Sequence, residues 1–506
     1  MTDTTAHTTA HTTAHTTAAD TATTAGAAAG GRADTGGSSA GAGSAGAPEA
    51  PSPVTEAFDT VRRTFTSGRT RPLSWRKAQL KGIERLVVEE ETRLVRAMAE
   101  DFGKPGVEAW LADLVPVISE AAHARRRLDR WARPRRVWAG KANVPARAWS
   151  VPEPLGTVLI ISPWNYPVNL ALSPLVAAIA AGNTAVLKPS EHTPATSAAL
   201  AELVPRYVDP QAFTVVEGAV DTATALLGLP FDHIFFTGST TVGKQVMRAA
   251  ADHLASVTLE LGGKSPVLVA ADADLEVAAR RIAWGKLLNA GQTCIAPDYV
   301  LAERSVADRL VEHLVGAIAQ LQGDDLRATR TRIVNDRHLS RLAGLLDGCG
   351  GTIVTGGAVD RDQRWLEPTV VVGPDPHAPL MTDEIFGPIL PVLSVGSIDE
   401  AVNFVNARPK PLALYVFTSS GAIERQVMET TTSGGVCVNH IAMHYLVPEL
   451  PFGGVGPSGV GAYHGRAGFD ELSHHKSVLR RHAHPDLSVI YPPFDAKKER
   501  VLRWFL

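Results

Sequence analysis

Cysteine is scarce in this chain: Cys294, Cys349 and Cys437 are the only three among 506 residues. An odd, sparse set builds no disulfide framework and fits a reducing compartment. A surplus of one charge sign is missing too, since 49 basic residues face 52 acidic ones for a formal balance of −3. With no basic stripe interleaved with aromatics, nothing points to a nucleic-acid partner. The N-terminus lacks the basic-then-apolar order of a secretory signal, its first arginine being Arg32 after an early Asp3. Long hydrophobic runs are nearly absent. The one long stretch, Val168 to Leu187, carries Asn169, Pro174 and Asn183, so it reads as a buried helix followed by a strand and not as a membrane span. A cytoplasmic chain without an integral membrane segment is the expectation.

Residues 1–50 lack Val, Leu, Ile, Phe, Tyr and Trp altogether and repeat Ala-His-Thr-Thr before turning to Ala, Gly and Ser. Such a segment cannot bury enough apolar surface to offset its ordering entropy, and it reads as a disordered tail. His7, His11 and His15 would stack on a helix, but the threonine-rich context opposes one, and no metal site is expected there.

What is present begins at about Val54. Ile83, Leu86, Val87, Leu94, Val95 and Met98 recur at helical spacing, and a second helix is expected over Trp110 to Trp131. Short apolar runs then alternate with helical patterns. The runs are Val158–Ile161, Thr184–Leu187, Thr214–Val216 and His233–Phe236; the helices are Leu170–Ala181, Thr196–Tyr207 and Val242–His253. Strands apolar on both faces between helices imply an α/β fold with a covered parallel sheet of the dinucleotide-binding kind. No Gly-x-Gly-x-x-Gly fingerprint follows the first strand. The alternation resumes after Ser256, with strands at Val257–Leu261, Pro266–Val269 and Tyr299–Ala302 and helices at Leu275–Leu288 and Ser305–Leu321, so a second α/β domain is expected to start there. The last thirty or so residues, with Pro492-Pro493 and an apolar end, read as a tail that packs onto something.

Six short stretches carry chemically useful residues. In Asn289-Ala290-Gly291-Gln292-Thr293-Cys294 a helix ends before a glycine turn, leaving Cys294 in a loop. A nucleophile needs that exposure and a nearby backbone N–H, although a lone cysteine is more often a small buried hydrophobe. In Leu259-Glu260-Leu261-Gly262-Gly263-Lys264 the carboxylate of Glu260 closes a strand, where it can act as a general base or simply be solvated. Phe236-Thr237-Gly238-Ser239-Thr240-Thr241-Val242-Gly243-Lys244 runs from strand through turn to helix, a place where N–H groups can face a pyrophosphate. Lys188 and Glu191 follow a strand and can meet ribose hydroxyls or solvent. Asn165, between Pro163 and Pro167, offers a neutral amide to an oxyanion or merely shapes a turn. Asp383-Glu384-Ile385-Phe386-Gly387-Pro388 puts a carboxylate beside an aromatic ring, suited to a sugar hydroxyl. His440 and His444 are four apart without a third ligand in sight, and no metal is expected.

In their order, from about Val54 onward, these stretches resemble the aldehyde dehydrogenase superfamily. Pro163-Trp164-Asn165-Tyr166-Pro167, Leu259 to Lys264, Gly291-Gln292-Thr293-Cys294 and Glu384 to Pro388 carry the likeness. Finer runs are similar to its class 3 branch, which handles fatty and aromatic aldehydes: Gln292 to Tyr299, Pro411 to Tyr415, Pro451 to Gly456, Gly461 to Gly465 and Tyr491-Pro492-Pro493. The resemblance implies a Rossmann-type cofactor domain (54–134 and 154–258), an α/β catalytic domain (259–437), bridging or oligomerisation segments (135–153 and 465–485) and a C-terminal tail (486–506). It implies Cys294 as nucleophile, Glu260 as base, and Asn165 with the Cys294 N–H as oxyanion hole. Lys188 and Glu191 would touch the adenosine ribose, Gly238, Ser239 and Gly243 the pyrophosphate, and Glu384 with Phe386 the nicotinamide ribose. NAD is the expected cofactor, with NADP tolerated, and a homodimer the expected assembly. The implied reaction turns an aldehyde into a carboxylic acid through a thiohemiacetal and a thioester on Cys294. A coenzyme A-acylating enzyme, or a non-catalytic dinucleotide binder on the same fold, are the alternatives; the first does not need a water-activating carboxylate, and the second would not need Cys294, Glu260 and Asn165 together.

Overall fold

Strands without polar alternation need cover on both faces, and in the computed structural model, which describes residues 52–322, 331–484 and 486–505, Thr157–Ile161 and Thr184–Lys188 are buried at every position. The expected tail over residues 1–50 lies outside the described residues. A six-stranded sheet runs in the order Gly459–Val460, Ser256–Leu261, His233–Gly238, Thr157–Ile161, Thr184–Lys188, Phe213–Val215. Its strands are parallel except Gly459–Val460, which pairs antiparallel with Leu259 and Glu260. From Thr157–Ile161 the chain winds first toward Phe213–Val215, then returns to the other side as His233–Gly238. The strand order therefore reverses beside Thr157–Ile161, which opens a crevice at the carboxyl ends.

The helix Asn169–Ala181 is buried at all its positions because it lies between this sheet and an outer layer. It packs against Leu73–Glu89, Val115–Trp131 and Gly465–Glu471. The helical pattern from Ile83 to Met98 resolves into two helices, Leu73–Glu89 and Glu91–Phe102, parted at Glu90 (φ −107°, ψ 16°). The helix expected over Trp110–Trp131 opens with a wide π turn, Trp110–Leu114, before the regular run Val115–Trp131.

A seven-stranded sheet has the order Thr352–Thr355, Thr369–Val372, Ile389–Val395, Tyr299–Glu303, Pro266–Val269, Ala413–Phe417, Gly435–Val438. All its pairs are parallel except the first. The expected start of a second domain after Ser256, and the boundary at 258/259, are corrected here. Ser256–Leu261 pairs along its length with His233–Gly238, so it belongs to the first sheet and the chain passes to the second at Gly262-Gly263. The signal was ambiguous because a fully apolar strand looks the same in either sheet.

Arg135–Val137, Ala146–Pro154 and Ser473–Arg481 form a separate three-stranded antiparallel sheet. The C-terminal segment ends in the helix Ala496–Phe505 and leaves Phe494 and Trp504 61% and 81% exposed. Among the described residues no helix is long and apolar enough to cross a membrane.

Candidate active site

The nucleophile loop is built by an unusual backbone. The helix Leu275–Leu287 ends, and Asn289 (φ 54°), Ala290 (φ 52°) and Gly291 (φ 71°) follow in the left-handed region. Two of these three are not glycine, at roughly 1 kcal/mol each, so the loop persists only because its surroundings hold it. A Cβ on Gly291 would fall 2.2 Å from the Gly387 carbonyl oxygen, which makes glycine obligatory there. The Gln292 side chain ties the loop down: its Nε2 donates to the carbonyls of Asn289 and Arg332, both at 3.1 Å, and its Oε1 accepts from Val334 N–H at 3.0 Å. Cys294 follows, partly exposed.

Asn165 sits after the first-sheet strand Thr157–Ile161 and is 3% exposed. Its Nδ2 donates to the Gln292 carbonyl at 3.0 Å, which sets the amide beside the cysteine loop. Tyr166 adds a second tie, its hydroxyl 2.6 Å from Thr293 Oγ1.

Two cavities meet at Cys294. One, about 330 Å³, is the more polar and is lined by Asn165, Gly238, Ser239, Glu260, Glu384 and Phe386 as well as by the thiol. The other, about 180 Å³, is walled by apolar groups including Leu111, Trp284, Met443, Leu446 and Phe452. Cys294 is thus reached from a polar cleft on one side and a greasy one on the other.

The charges in the polar cleft are poised against ionisation. Glu260 is 4% exposed and neither of its carboxylate oxygens has a hydrogen-bond partner. Burial, helped by the neighbouring Glu471, raises its pKa well above the carboxylate range. Glu384 is pushed up to about 8 by burial and by Asp298, against the pull of the Gly263 N–H, Lys264 and Arg341. The Cys294 thiol is pushed up to about 12 by burial, then by Glu384 and Glu260. A positive charge entering the cleft would relieve all three at once.

Glu384 is held by a charged network along and behind the cleft wall. Asp298 Oδ1 pairs with Lys264 Nζ at 2.6 Å, and Lys264 also donates to the carbonyls of Leu380 (3.0 Å) and Asp383 (2.7 Å). Asp298 Oδ2 accepts from Ile385 N–H at 3.1 Å, and Arg341 donates to the carbonyls of Glu384 and Ile385 at 3.1 and 2.5 Å. The carboxylate itself lies so close to Gly262 that a Cβ there would be 2.0 Å from Glu384 Oε2. Phe386 (φ 49°) sets its ring edge-on to Trp164, with centroids 5.4 Å apart.

The expected residues divide accordingly. Asn165, Gly238, Ser239, Glu260, Cys294, Glu384 and Phe386 share the cleft wall. Lys188 and Glu191 stand at the neighbouring strand end, outside that wall, where Lys188 Nζ reaches Glu191 Oε2 at 3.0 Å and the Pro189 carbonyl at 3.1 Å. Gly243 also lies outside it: its N–H is engaged by the Ser239 carbonyl at 2.9 Å and its α-carbon packs on Leu261, so it fits helix to sheet. Ser239 caps that helix by accepting from Val242 N–H at 3.4 Å. Sequence reasoning missed Trp164, His338 and Arg341, which complete the cleft; no short-range signal marks a histidine or arginine that reaches a site from a distant helix. Among the described residues no group of three or more His, Cys, Asp or Glu side chains that could hold a metal ion occurs.

The cleft fits a dinucleotide. Ser162 Oγ, Thr237 Oγ1 and Glu384 Oε1 are buried without partners around the switch-point crevice, and hydroxyl-rich ligands supply what they lack.

Comparison with known proteins agrees. The model of the aldehyde dehydrogenase family matches residues 45–478. Aldehyde dehydrogenase family 3 member A2 of Mus musculus is 45% identical over 450 residues, covering 88% of this chain and 93% of its own. The dimeric, NADP-preferring aldehyde dehydrogenase of Rattus norvegicus is 44% identical over 456 residues, covering 89% of this chain and 100% of its own. Among solved structures, the substrate-bound state of Staphylococcus aureus AldH superimposes with a TM-score of 0.86 at 40% identity, covering 89% of this chain and 99% of that one. The chain belongs to the aldehyde dehydrogenase family.

Proposed function

We propose that Cys294 attacks an apolar aldehyde, that Asn165 and the Cys294 N–H steady the resulting oxyanion, and that Glu260 activates the water that frees the acid. The reaction is the oxidation of an aldehyde to a carboxylic acid with NAD(P). The observation that carries the residue roles is the thiol's position on the wall of both cavities.

The Cys294 sulfur adds to the aldehyde carbon as its proton leaves through the open cleft to solvent, so Glu260 is kept for the later hydrolytic step. The alkoxide so formed accepts hydrogen bonds from Asn165 Nδ2 and the Cys294 N–H, which act where charge develops. Glu384 would hold the nicotinamide ribose and Ser239 would face the phosphates of NAD(P), which when bound would supply the hydride acceptor and one positive charge. A thioester on Cys294 remains. Glu260, unpartnered and aimed into the cleft, takes a proton from water as the water adds to the thioester carbon; the sulfur departs with the electron pair. A carboxylate with no hydrogen bonds of its own is a stronger base than one already satisfied. That placement favours hydrolysis over transfer to coenzyme A, which needs no such base.

The apolar cavity suits medium or long aliphatic chains and aromatic aldehydes. NAD is the preferred cofactor with NADP accepted: the Glu191 carboxylate disfavours a 2′-phosphate by repulsion, while a relative bears an NADP-preferring name. A homodimer would cover the exposed Val137 and Leu479 of the three-stranded sheet, and the rat relative is named dimeric. A reducing, cytoplasmic setting keeps Cys294 free.

The test is formation of reduced cofactor from NAD and NADP across short, fatty and aromatic aldehydes without coenzyme A. Turnover favouring the apolar members is expected. Turnover only on adding coenzyme A would overturn the hydrolytic reading.

A further inference from the structure

The segment from Lys104 to Asp113 touches neither cavity's reacting atoms, yet it grips both loops that do. Lys104 and Asp113 form a fully buried ion pair at 2.6 Å, both side chains without exposure. Lys104 Nζ also donates to the Asn165 carbonyl at 3.1 Å and sits over the Tyr166 ring, 4.0 Å from its centroid. Asp113 Oδ1 accepts from the N–H groups of Val168 and Asn169, both at 3.2 Å. The oxyanion loop is therefore held at both ends by one pair. The π turn Trp110–Leu114 is the local distortion that carries Asp113.

Glu108 grips the other loop. Its Oε1 accepts from the Asn289 N–H at 2.6 Å, at the first of the three left-handed residues before Cys294. Asn289 then closes the circuit: its Nδ2 donates to the Asn165 carbonyl at 2.9 Å and to the Gln292 carbonyl at 3.1 Å. The Asn165 carbonyl is thus shared by Lys104 and Asn289. A strained loop and an irregular one are tied to each other through one short segment of a third element.

We propose that Lys104, Glu108 and Asp113 are positioning residues that keep the Asn165 amide and the Cys294 thiol in register for oxyanion formation. The proposal rests on Asn165 being the oxyanion donor. A displacement of an ångström at such a donor costs rate and not affinity, because the oxyanion exists only in the transition state.

The half-buried Glu108 is the first target. Glu108→Ala is expected to lower kcat at least tenfold while KM for the aldehyde and Kd for NAD change less than threefold, and Glu108→Gln, whose amide oxygen still accepts from Asn289 N–H, is expected to recover most of kcat. The paired substitution Lys104→Met with Asp113→Asn leaves no unpaired buried charge and is expected to show the same split, with folding checked by circular dichroism. In an Asn165→Ala background, Glu108→Ala is expected to cost less than a further twofold. A full additional loss there, or an unchanged kcat in Glu108→Ala, would overturn the brace while leaving the Asn165 assignment standing. Unchanged turnover in Asn165→Ala alone would overturn the donor assignment and the brace with it.

Discussion

Replacing Glu384 by glutamine should stabilise this protein, and should do so more as pH rises. The carboxyl is held at about 8 in the fold against an ordinary value of 4.5. A raised folded pKa means that its favourable contribution is complete below the unfolded value and is lost as pH rises through the folded one. Between pH 4.5 and 8 the unfolded chain releases a proton that the folded chain retains, and stability falls by about 1.4 kcal/mol per pH unit. Solvent entering the cleft screens part of this, so about 1–3 kcal/mol separates the two proteins at pH 8. Glutamine keeps the shape and can still accept from the Gly263 N–H, so the difference isolates the charge. With about 2 cal/mol/K of unfolding entropy per residue over some 450 residues, the shift in Tm is roughly 1–3 °C. Differential scanning calorimetry of both proteins from pH 5 to 8.5 measures it. Coincident Tm values at pH 5 that diverge toward pH 8, glutamine higher, are expected. A constant gap, or one that closes with pH, would refute the burial argument. The variant should at the same time lose cofactor affinity, the trade expected where a charge is buried for function.

Cys294→Ala should abolish turnover while NAD still binds by titration calorimetry; residual turnover would remove it as nucleophile. Glu260→Gln should preserve a burst of reduced cofactor in rapid mixing but slow the steady state by about a hundredfold or more, and wild-type acyl release should climb as pH rises because burial holds the base protonated beyond the usual carboxylate range. A steady-state rate equal to wild type would exclude the base role. Leu446→Glu places a charge on the apolar cavity wall and should raise KM for long-chain aldehydes at least tenfold with little change for acetaldehyde; equal effects on both would mean that long chains bind elsewhere.

The strands that frame the cleft were legible because burial on both faces leaves an unbroken apolar run, as at Val158–Ile161 and His233–Phe236. Helices announced themselves where one face is wet, and the wholly buried Asn169–Ala181 did so as an apolar run too long for a strand. The π turn at Trp110–Leu114 was invisible, since one wider turn barely disturbs the hydrophobic period over the helix that follows. The sheet to which Ser256–Leu261 belongs could not be read locally, because pairing is a property of two segments and not of one. Cys294, Glu260 and Asn165 were legible as motifs, but their meeting on the wall of one cleft, with the thiol also open to a second cavity, was not. The close packing of Gly243 on Leu261 was not legible, because it is a contact between a helix and a strand that neither segment announces alone.

The short strand Gly459–Val460 has a consequence for how the protein is made. It borders Ser256–Leu261, and the Ser458 carbonyl takes the Leu261 N–H at 3.1 Å, so the edge that carries Glu260 is completed only by residues near the end of the chain. On the ribosome the whole second sheet must emerge before that edge is sealed. Until then a strand rich in valine and leucine offers open hydrogen-bonding groups to any neighbour, the usual template for aggregation. Truncations that stop short of Gly459 should therefore yield insoluble protein instead of a smaller cofactor-binding module, and the two α/β lobes are inherited, expressed and lost together.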